Sequence, residues 1–321
     1  MFYSSFIVGF EELVPKLIKE QNQNISIVQV LNGAVIYKTS SSDNIDNIGF
    51  FNNNFFVFKS AKETNILTFI NQLSNISLKK GKYKKSFRIV ISDQNNLIGI
   101  DNQVLSALEN KIEKETGYYV NRLKPDIEYW VLKRSEGIIL FMERINKHKS
   151  FDKQLNRGEL RDDLCCFLNY LSEPTESDIY LDCFCGSGAI IKNRIKMYKF
   201  NMIFGIDIES KHIQELKKVY KKNNLIFKNI DFFENKFENG FIDKIVTDPP
   251  WGMFEKKYDF DKFYQLFINE ANRILKKNGT IVILTACKEE MSKIKTDMIL
   301  TGIYNILVSG KKACVYVYKK P

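Results

Sequence analysis

Hydrophobic and polar positions change rhythm near the middle of the chain, and the two rhythms predict two kinds of fold. In the second half, short apolar runs alternate with stretches of helical period. Residues 179–182, 202–207, 225–227, 244–247 and 280–285 are too short for helices and read as strands. Between them, residues 189–198, 210–222 and 263–276 space their apolar residues as helices do. Ile213, Leu216, Val219 and Tyr220 share one face, and Phe263, Leu266, Phe267, Ala271, Ile274 and Leu275 form another stripe. Asn278-Gly279 is expected to stop that last helix. Residues 304–308 and 313–318, joined by Gly310-Lys311-Lys312, predict a closing hairpin. Strands separated by helices imply a parallel, doubly wound α/β sheet with an antiparallel edge.

The first half predicts an α+β module without a glycine-rich nucleotide turn. Residues 6–14 read as a strand running into a helix. Residues 25–30 and 34–37 form a hairpin around Asn32-Gly33. A helix over 66–73, a strand over 86–92 and a helix over 102–116 follow, then a hairpin of 127–133 with 137–144 about Ser135-Glu136. Asn52-Asn53-Asn54 reads as a loop, and the polar, basic stretch from 146 to about 161 as a linker.

A length of 321 residues suits two domains. With 48 Lys and Arg against 38 Asp and Glu, the net charge is +10. A lysine-rich background explains part of that excess, but the balance favours a polyanionic partner, nucleic acid above all. No stretch approaches the roughly 20 apolar residues of a membrane span, and the amino terminus lacks the basic start of a signal peptide. The six cysteines (Cys165, Cys166, Cys183, Cys185, Cys287, Cys314) and two histidines (His148, His212) show no paired metal spacing. A reduced, metal-free, cytoplasmic protein is expected.

Four acids, Asp182, Asp207, Asp231 and Asp248, fall at or just after the carboxyl ends of predicted strands, where such sheets bind their ligands. Asp182-Cys183-Phe184-Cys185-Gly186-Ser187-Gly188 is a glycine turn opening a helix, able to bring backbone close to a ligand and present free amides. Strand-to-helix turns need glycine in any case, and no Walker lysine follows, which argues against a nucleoside triphosphate. Asp207 stands where a ribose-binding acid stands, or else caps the next helix in competition with Glu209 and Ser210. Ile208 offers an apolar wall to an adenine, and Asp231-Phe232 an acceptor for its amino group and a cover for its ring. Asp248-Pro249-Pro250-Trp251-Gly252 sets a carboxylate, two rigid carbonyls and a flat aromatic side by side. Such a set suits a planar exocyclic amine held before an electrophile.

In this order, the glycine turn, the two acids and the Asp-Pro-Pro-Trp-Gly segment resemble the amino-methylating class I S-adenosylmethionine-dependent methyltransferases, over about residues 160–321. The turn at Asp182 is similar to that of RNA guanine-N2 methyltransferases, as is Gly158-Glu159-Leu160-Arg161 upstream. The amino half resembles their THUMP module with its ferredoxin-like companion, in Gly9-Phe10-Glu11-Glu12-Leu13-Val14 and in residues 120–128. The resemblance implies a Rossmann-like seven-stranded methyltransferase domain at 165–321, preceded by a ferredoxin-like lobe at 1–60, a THUMP-like RNA-binding domain at 61–145 and a linker at 146–164. It implies S-adenosylmethionine as cofactor, held by Asp182, Phe184, Gly186, Gly188, Asp207, Ile208, Asp231 and Phe232, with Asp248, Pro249, Pro250 and Trp251 as the catalytic set. The implied substrate is the 2-amino group of guanine in RNA, tRNA in particular. Cys183 departs from the proline of the related turns, and Trp251 from a more frequent tyrosine or phenylalanine, which enlarges the stacking face. Lys79, Lys80, Lys82, Lys84 and Lys85 around Tyr83 are candidate RNA contacts, as are Lys147, Lys149, Lys153, Arg157 and Arg161; solvated loops are the plain alternative. Competing functions are methylation of adenine or cytosine in DNA, protein glutamine methylation, and an RNA-binding relic of an enzyme.

Overall fold

The computed structural model describes residues 1–21, 24–39, 48–147, 159–251, 259–308 and 310–321. The chain divides into two compact units, one of Met1–Phe6 with Glu11–His148, the other of Ile7–Phe10 with Lys149–Pro321.

The first unit contains, in order, β1 (Phe2–Ser5), α1 (Val14–Gln21), β2 (Ser26–Leu31), β3 (Ala34–Lys38), β4 (Asn53–Lys62), α2 (Ile66–Asn71), β5 (Ser86–Asp93), β6 (Asn96–Leu97), α3 (Asn102–Thr116), β7 (Tyr119–Val120), β8 (Ile127–Lys133) and β9 (Ile138–Lys147). One nine-stranded sheet runs in the order β2-β3-β1-β4-β9-β8-β5-β6, with β7 beside β5. The border expected at residues 60 and 61 therefore falls inside β4. Asn65 caps α2 by accepting from the amides of Leu67 and Thr68, and Asp101 caps α3, which left-handed Gly117 ends. Phe69, Phe87, Ile112 and Phe141 fill the core under these helices.

Two expectations in this unit are corrected. The first strand is Phe2–Ser5 rather than part of 6–14, because pairing with β3 and β4 seats Phe2 between Tyr37 and Phe56, while Gly9 at φ +105° breaks any extended run. Asn53 and Asn54 lie in β4 rather than in a loop. There the Asn54 side chain accepts from Ser4 Oγ at 2.5 Å and donates to Asn146 Oδ1 at 2.7 Å, so cross-strand bonds replace the turn that asparagine favours.

The second unit contains α4 (Asp162–Leu171), β10 (Ile179–Asp182), α5 (Ala189–Met197), β11 (Met202–Asp207), α6 (Ser210–Val219), β12 (Leu225–Asn229), β13 (Ile242–Thr247), α7 (Phe260–Ile274), β14 (Leu275–Thr285), α8 (Lys288–Lys293), β15 (Ile299–Val308) and β16 (Lys311–Lys319). Its seven strands run in the order β12-β11-β10-β13-β14-β16-β15. The first five are parallel and the closing hairpin antiparallel, as expected. Chain order reverses between β10 and β13, so the ends of those neighbours frame the crevice in which such sheets bind ligands.

Helix α7 ends at Ile274, earlier than Asn278-Gly279 led us to expect. Buried Leu275 already pairs with Ile242 in the sheet, and Asn278 takes a left-handed turn within β14 instead of capping a helix. The buried face of α7 is Tyr264, Phe267, Ile268, Ala271 and Ile274, whereas Leu266 is half exposed. Helices α4 and α8 carry no clear sequence signal of their own. In α4 nearly every residue is buried, Asp163 and Asn169 included, so burial there does not follow polarity along the sequence. Among the described residues, no helix is long and apolar enough to cross a membrane, and no group of three or more His, Cys, Asp or Glu side chains could hold a metal ion.

Candidate active site

Asp182 ends β10 and is 1% exposed. Its Oδ1 accepts from Thr247 Oγ1 at 2.8 Å and from the Phe184 amide at 3.4 Å, while its buried Oδ2 has no partner. Burial pushes this carboxyl up to about 7 and the charge of Asp207 adds to the rise, against the bonds from Thr247 and Phe184. A buried oxygen without a donor is costly in isolation. It marks a place for a cation or an N–H group.

The glycine turn is shaped by the same crevice. Gly186 and Gly188 adopt φ +47° and +78°, which side chains with a Cβ rarely take. Gly186 donates its amide to Asp207 Oδ2 at 2.7 Å, and the Glu209 amide donates to Oδ1 at 2.8 Å. Asp207 is thus fixed at the end of β11 by both flanking turns. A Cβ on Gly188 would stand 2.5 Å from Leu216 Cδ2 of α6. Gly188→Ala is therefore expected to lower stability by about 2–4 kcal/mol, combining left-handed strain with overpacking; denaturant unfolding checks it, and an unchanged midpoint would mean the turn relaxes freely.

Beyond Asp207, Ile208 is 68% exposed, with the backbone of both residues held by Asn229 Nδ2. Asp231 caps the short helical turn over Phe232–Glu234, accepting from the Phe233 amide at 2.9 Å. Phe232 is buried against Phe184 and Phe267. The ring next to Asp231 that reaches solvent is Phe233, which packs edge-on against Phe263. Phe184 is half-buried among Phe232, Phe263 and Phe267.

Asp248 follows β13 and is half-buried. Its Oδ1 accepts from the Trp251 indole N–H at 2.7 Å, and among the described residues Oδ2 makes no hydrogen bond. Burial pushes this carboxyl up to about 8, the Trp251 bond opposes that, and the charge of Asp182 adds to it. The loop is anchored from beneath: Tyr264 Oη donates to the Pro250 carbonyl at 3.1 Å and lies 2.6 Å from Thr285 Oγ1. Cys287 donates its amide to Thr285 Oγ1 at 3.0 Å and its thiol to the Trp251 carbonyl at 3.5 Å. Gly252 lies outside the described residues.

The structure therefore gathers Asp182, the glycine turn and Asp207 through direct bonds, and joins Asp182 to Asp248 through the β10–β13 pairing and Thr247. Thr247, Tyr264, Thr285, Cys287 and Phe233 escaped the sequence reading. Thr247 had a faint signal, as the polar end of an apolar strand; Tyr264 is hidden in the helical period of α7. Of the basic linker candidates, Arg161 is bonded to Asp163, while Lys149, Lys153, Arg157 and the Lys147 side chain lie outside the described residues. Chemically, the crevice combines paired backbone turns, a buried acid with one oxygen lacking a donor and a second acid with one oxygen open. That arrangement suits N–H groups and cations.

Known proteins carry the same arrangement of elements. The chain is 30% identical to a tRNA (guanine(10)-N2)-dimethyltransferase of Methanocaldococcus jannaschii, over 65% of this chain and 62% of that protein. It is 26% identical to a tRNA (guanine(6)-N2)-methyltransferase of the same organism, over 46% of this chain and 51% of that one. In both cases it spans less than two thirds of the relative's own length. The crystal structure of TrmN from Thermus thermophilus matches 100% of this chain and 99% of its own at a TM-score of 0.81, with 16% identity, a likeness of fold. A family model described as RMKL-like, methyltransferase domain matches residues 151–311, which hold every acid and glycine of the crevice. The chain belongs to the RMKL-like methyltransferase-domain family.

Proposed function

We propose that this protein transfers a methyl group from S-adenosylmethionine to the 2-amino group of guanine in RNA, with tRNA as the substrate. The observation that carries this reading is Asp248 directly after β13, with one carboxylate oxygen tied to Trp251 and the other without a hydrogen bond among the described residues. Family membership and the two tRNA guanine-N2 relatives support it.

The residues present fit the cofactor. Asp182 Oδ2, buried without a partner, suits its ammonium group; the Gly186–Gly188 turn suits close approach of its methionyl part. Asp207 retains lone pairs for ribose hydroxyls, exposed Ile208 and Phe233 offer apolar faces to an adenine, and Asp231 an acceptor for its amino group. When bound, the cofactor supplies an electrophilic methyl on a sulfonium. The protein's work is then to hold a poor nucleophile. A guanine amine shares its lone pair with the ring, and two N–H bonds accepted by Asp248 and the Pro249 carbonyl bias it toward tetrahedral geometry. Once the new C–N bond forms, the amine loses a proton, which Asp248, poised near 8, is suited to take. Positioning dominates, and the base must be unpaired or flipped out to enter. A cytoplasmic site of action goes with this reading.

RNA capture is assigned to the first unit, read as a THUMP-like module with a ferredoxin-like companion. Lys79, Lys80, Lys82, Lys84 and Lys85 are all exposed, none forms a salt bridge among the described residues, and Tyr83 is 78% exposed at their centre. Lys84 lies 5.4 Å from the Tyr119 ring. Cations interleaved with open aromatic rings suit a nucleic acid strand. Changing Lys79, Lys80 and Lys82 together to glutamate is expected to reduce the slope of log Kd against log salt for tRNA by about 2, at roughly 0.7–0.9 per lost phosphate contact. An unchanged slope would remove this loop from the RNA-binding surface.

The reading as a whole is tested by incubating the protein with labelled S-adenosylmethionine and tRNA, duplex DNA or protein extract, then digesting and identifying the modified residue. N2-methylguanosine from tRNA is expected. Label confined to DNA or protein would overturn it.

A further inference from the structure

We propose that Trp251 is a positioning residue for Asp248: its indole N–H fixes one carboxylate oxygen, so that Oδ2 alone is presented to the incoming amine. This rests on the methyl-transfer reading but makes a claim that can be tested without substrate. In the Asp-Pro-Pro-Trp segment the aromatic residue reads first as a face for the base. The structure gives its ring a second engagement. The indole is half-buried, packs against the core beneath the crevice, and donates from Nε1 to Asp248 Oδ1 at 2.7 Å.

Both ends of the residue are held. Its carbonyl accepts from Cys287 Sγ at 3.5 Å, and the preceding Pro250 carbonyl accepts from Tyr264 Oη at 3.1 Å. Tyr264 is in turn fixed by Thr285 at 2.6 Å. A backbone pinned at two successive carbonyls leaves the indole little freedom, so the N–H reaches the carboxylate from one direction. A phenylalanine or tyrosine in its place keeps a flat ring but has no donor at that point of the ring edge. The tryptophan is therefore more than an enlarged stacking face.

The bond also bears on charge. To accept N–H bonds at both oxygens Asp248 must be ionised, and an indole donor favours the ionised form against burial. The groups facing it from neighbouring elements are Asp182 of β10, Cys165 of α4 and Tyr264 of α7, with Cys287 after β14 behind Tyr264. Cys165, Tyr264 and Cys287 are all shifted upward by burial and stay protonated near neutrality, so Asp182 is the neighbour that titrates in the same range.

The chain has two tryptophans, Trp130 and Trp251, so the indole N–H region of a nitrogen-15 spectrum of the whole protein is simple to assign. The Trp251 signal is the one lost in Trp251→Phe. It is expected to move with pH from 6 to 9.5, to lose that movement in Asp248→Asn, and to keep it in Asp182→Asn. A Trp251 signal insensitive to both pH and Asp248→Asn would overturn the proposal, whatever the enzyme methylates. In turnover assays on tRNA, Trp251→Phe is expected to lower kcat about tenfold and raise the acid limb of the pH–rate profile by about one unit, with KM for RNA within about twofold. A raised KM with an unmoved pH profile would assign the residue to base stacking alone. Failure of the wild-type protein to methylate tRNA would overturn the substrate reading and leave the spectral test standing.

Discussion

Asp248→Ala is expected to lower methyl transfer by at least about a thousandfold while leaving S-adenosylmethionine affinity within about threefold, on the scale of losing a preorganised charged partner at a reacting group. Asp248 is bonded to Trp251 through Oδ1, and among the described residues Oδ2 makes no hydrogen bond. The contrast with Asp248→Asn is informative. Asparagine keeps a carbonyl oxygen that can accept one bond, but its other terminus is an NH2 that donates and would face either the indole or the amine with the wrong polarity. A loss close to that of alanine is therefore expected. Isothermal titration with the cofactor and single-turnover transfer to tRNA separate the two effects. Equal loss of both would mean that Asp248 holds the cofactor and that the amine is bound elsewhere. The native rate should also climb with pH through about 8 as Asp248 ionises.

Asp182→Asn is expected to act in opposite directions on binding and stability. The Asp182 carboxyl is pushed up to about 7 by burial, above the unfolded value near 4. A carboxyl raised in this way binds its proton more tightly in the native state. Its contribution to stability is complete below the unfolded value and is lost as pH rises through about 7. Without the cofactor, the protein should therefore be less stable at pH 8 than at pH 5 on account of this group, by on the order of 3 kcal/mol. The amide introduced by Asp182→Asn carries no charge, so the variant should melt several degrees above the native protein at pH 8 and show little gain at pH 5. Its cofactor affinity should fall by about 30-fold or more, the scale of a charged hydrogen bond removed from a buried site. In the native protein the cofactor-induced rise in Tm should grow from pH 6 to pH 8. A cofactor shift independent of pH, or unchanged affinity in Asp182→Asn, would detach Asp182 from the ammonium group.

Such a trade between stability and binding would account for the unpaired Oδ2 of Asp182. A buried carboxylate with one oxygen lacking a donor is a liability to the fold alone. It becomes favourable when a cation arrives, and the donors already supplied by Thr247 and Phe184 fix its direction beforehand. Thr247 is shared, donating to Asp182 and accepting from the Phe184 amide at 3.2 Å, so it couples the turn after β10 to the end of β13.

The repeating strand–helix order of the second unit, the antiparallel closing hairpin, and the placing of Asp182, Asp207, Asp231 and Asp248 at or just after strand ends were legible in the residues alone. These are local matters: a strand of four or five apolar residues, a helix with one apolar stripe and a glycine turn each declare themselves within a short window. Asp-Pro-Pro-Trp was legible too, because rigid prolines after an acid leave a mark in the residues themselves. The remaining features depend on partners far apart along the chain. Phe2–Ser5 became a strand because Tyr37 and Phe56 flank it, and Asn53 and Asn54 joined one because Ser4 and Asn146 could satisfy them. Helix α7 gave way at Leu275 because the sheet claimed that residue. In the crevice, Phe232 went to the core and left Phe233 beside Asp231, and Tyr264, Thr285 and Cys287 converged under the Asp248–Trp251 loop from two further elements. A hydrogen bond between residues 14 or 36 positions apart has no periodicity to betray it. The same holds in miniature for Trp251, whose bond to a carboxylate three residues away depends on a backbone that those distant side chains hold in place.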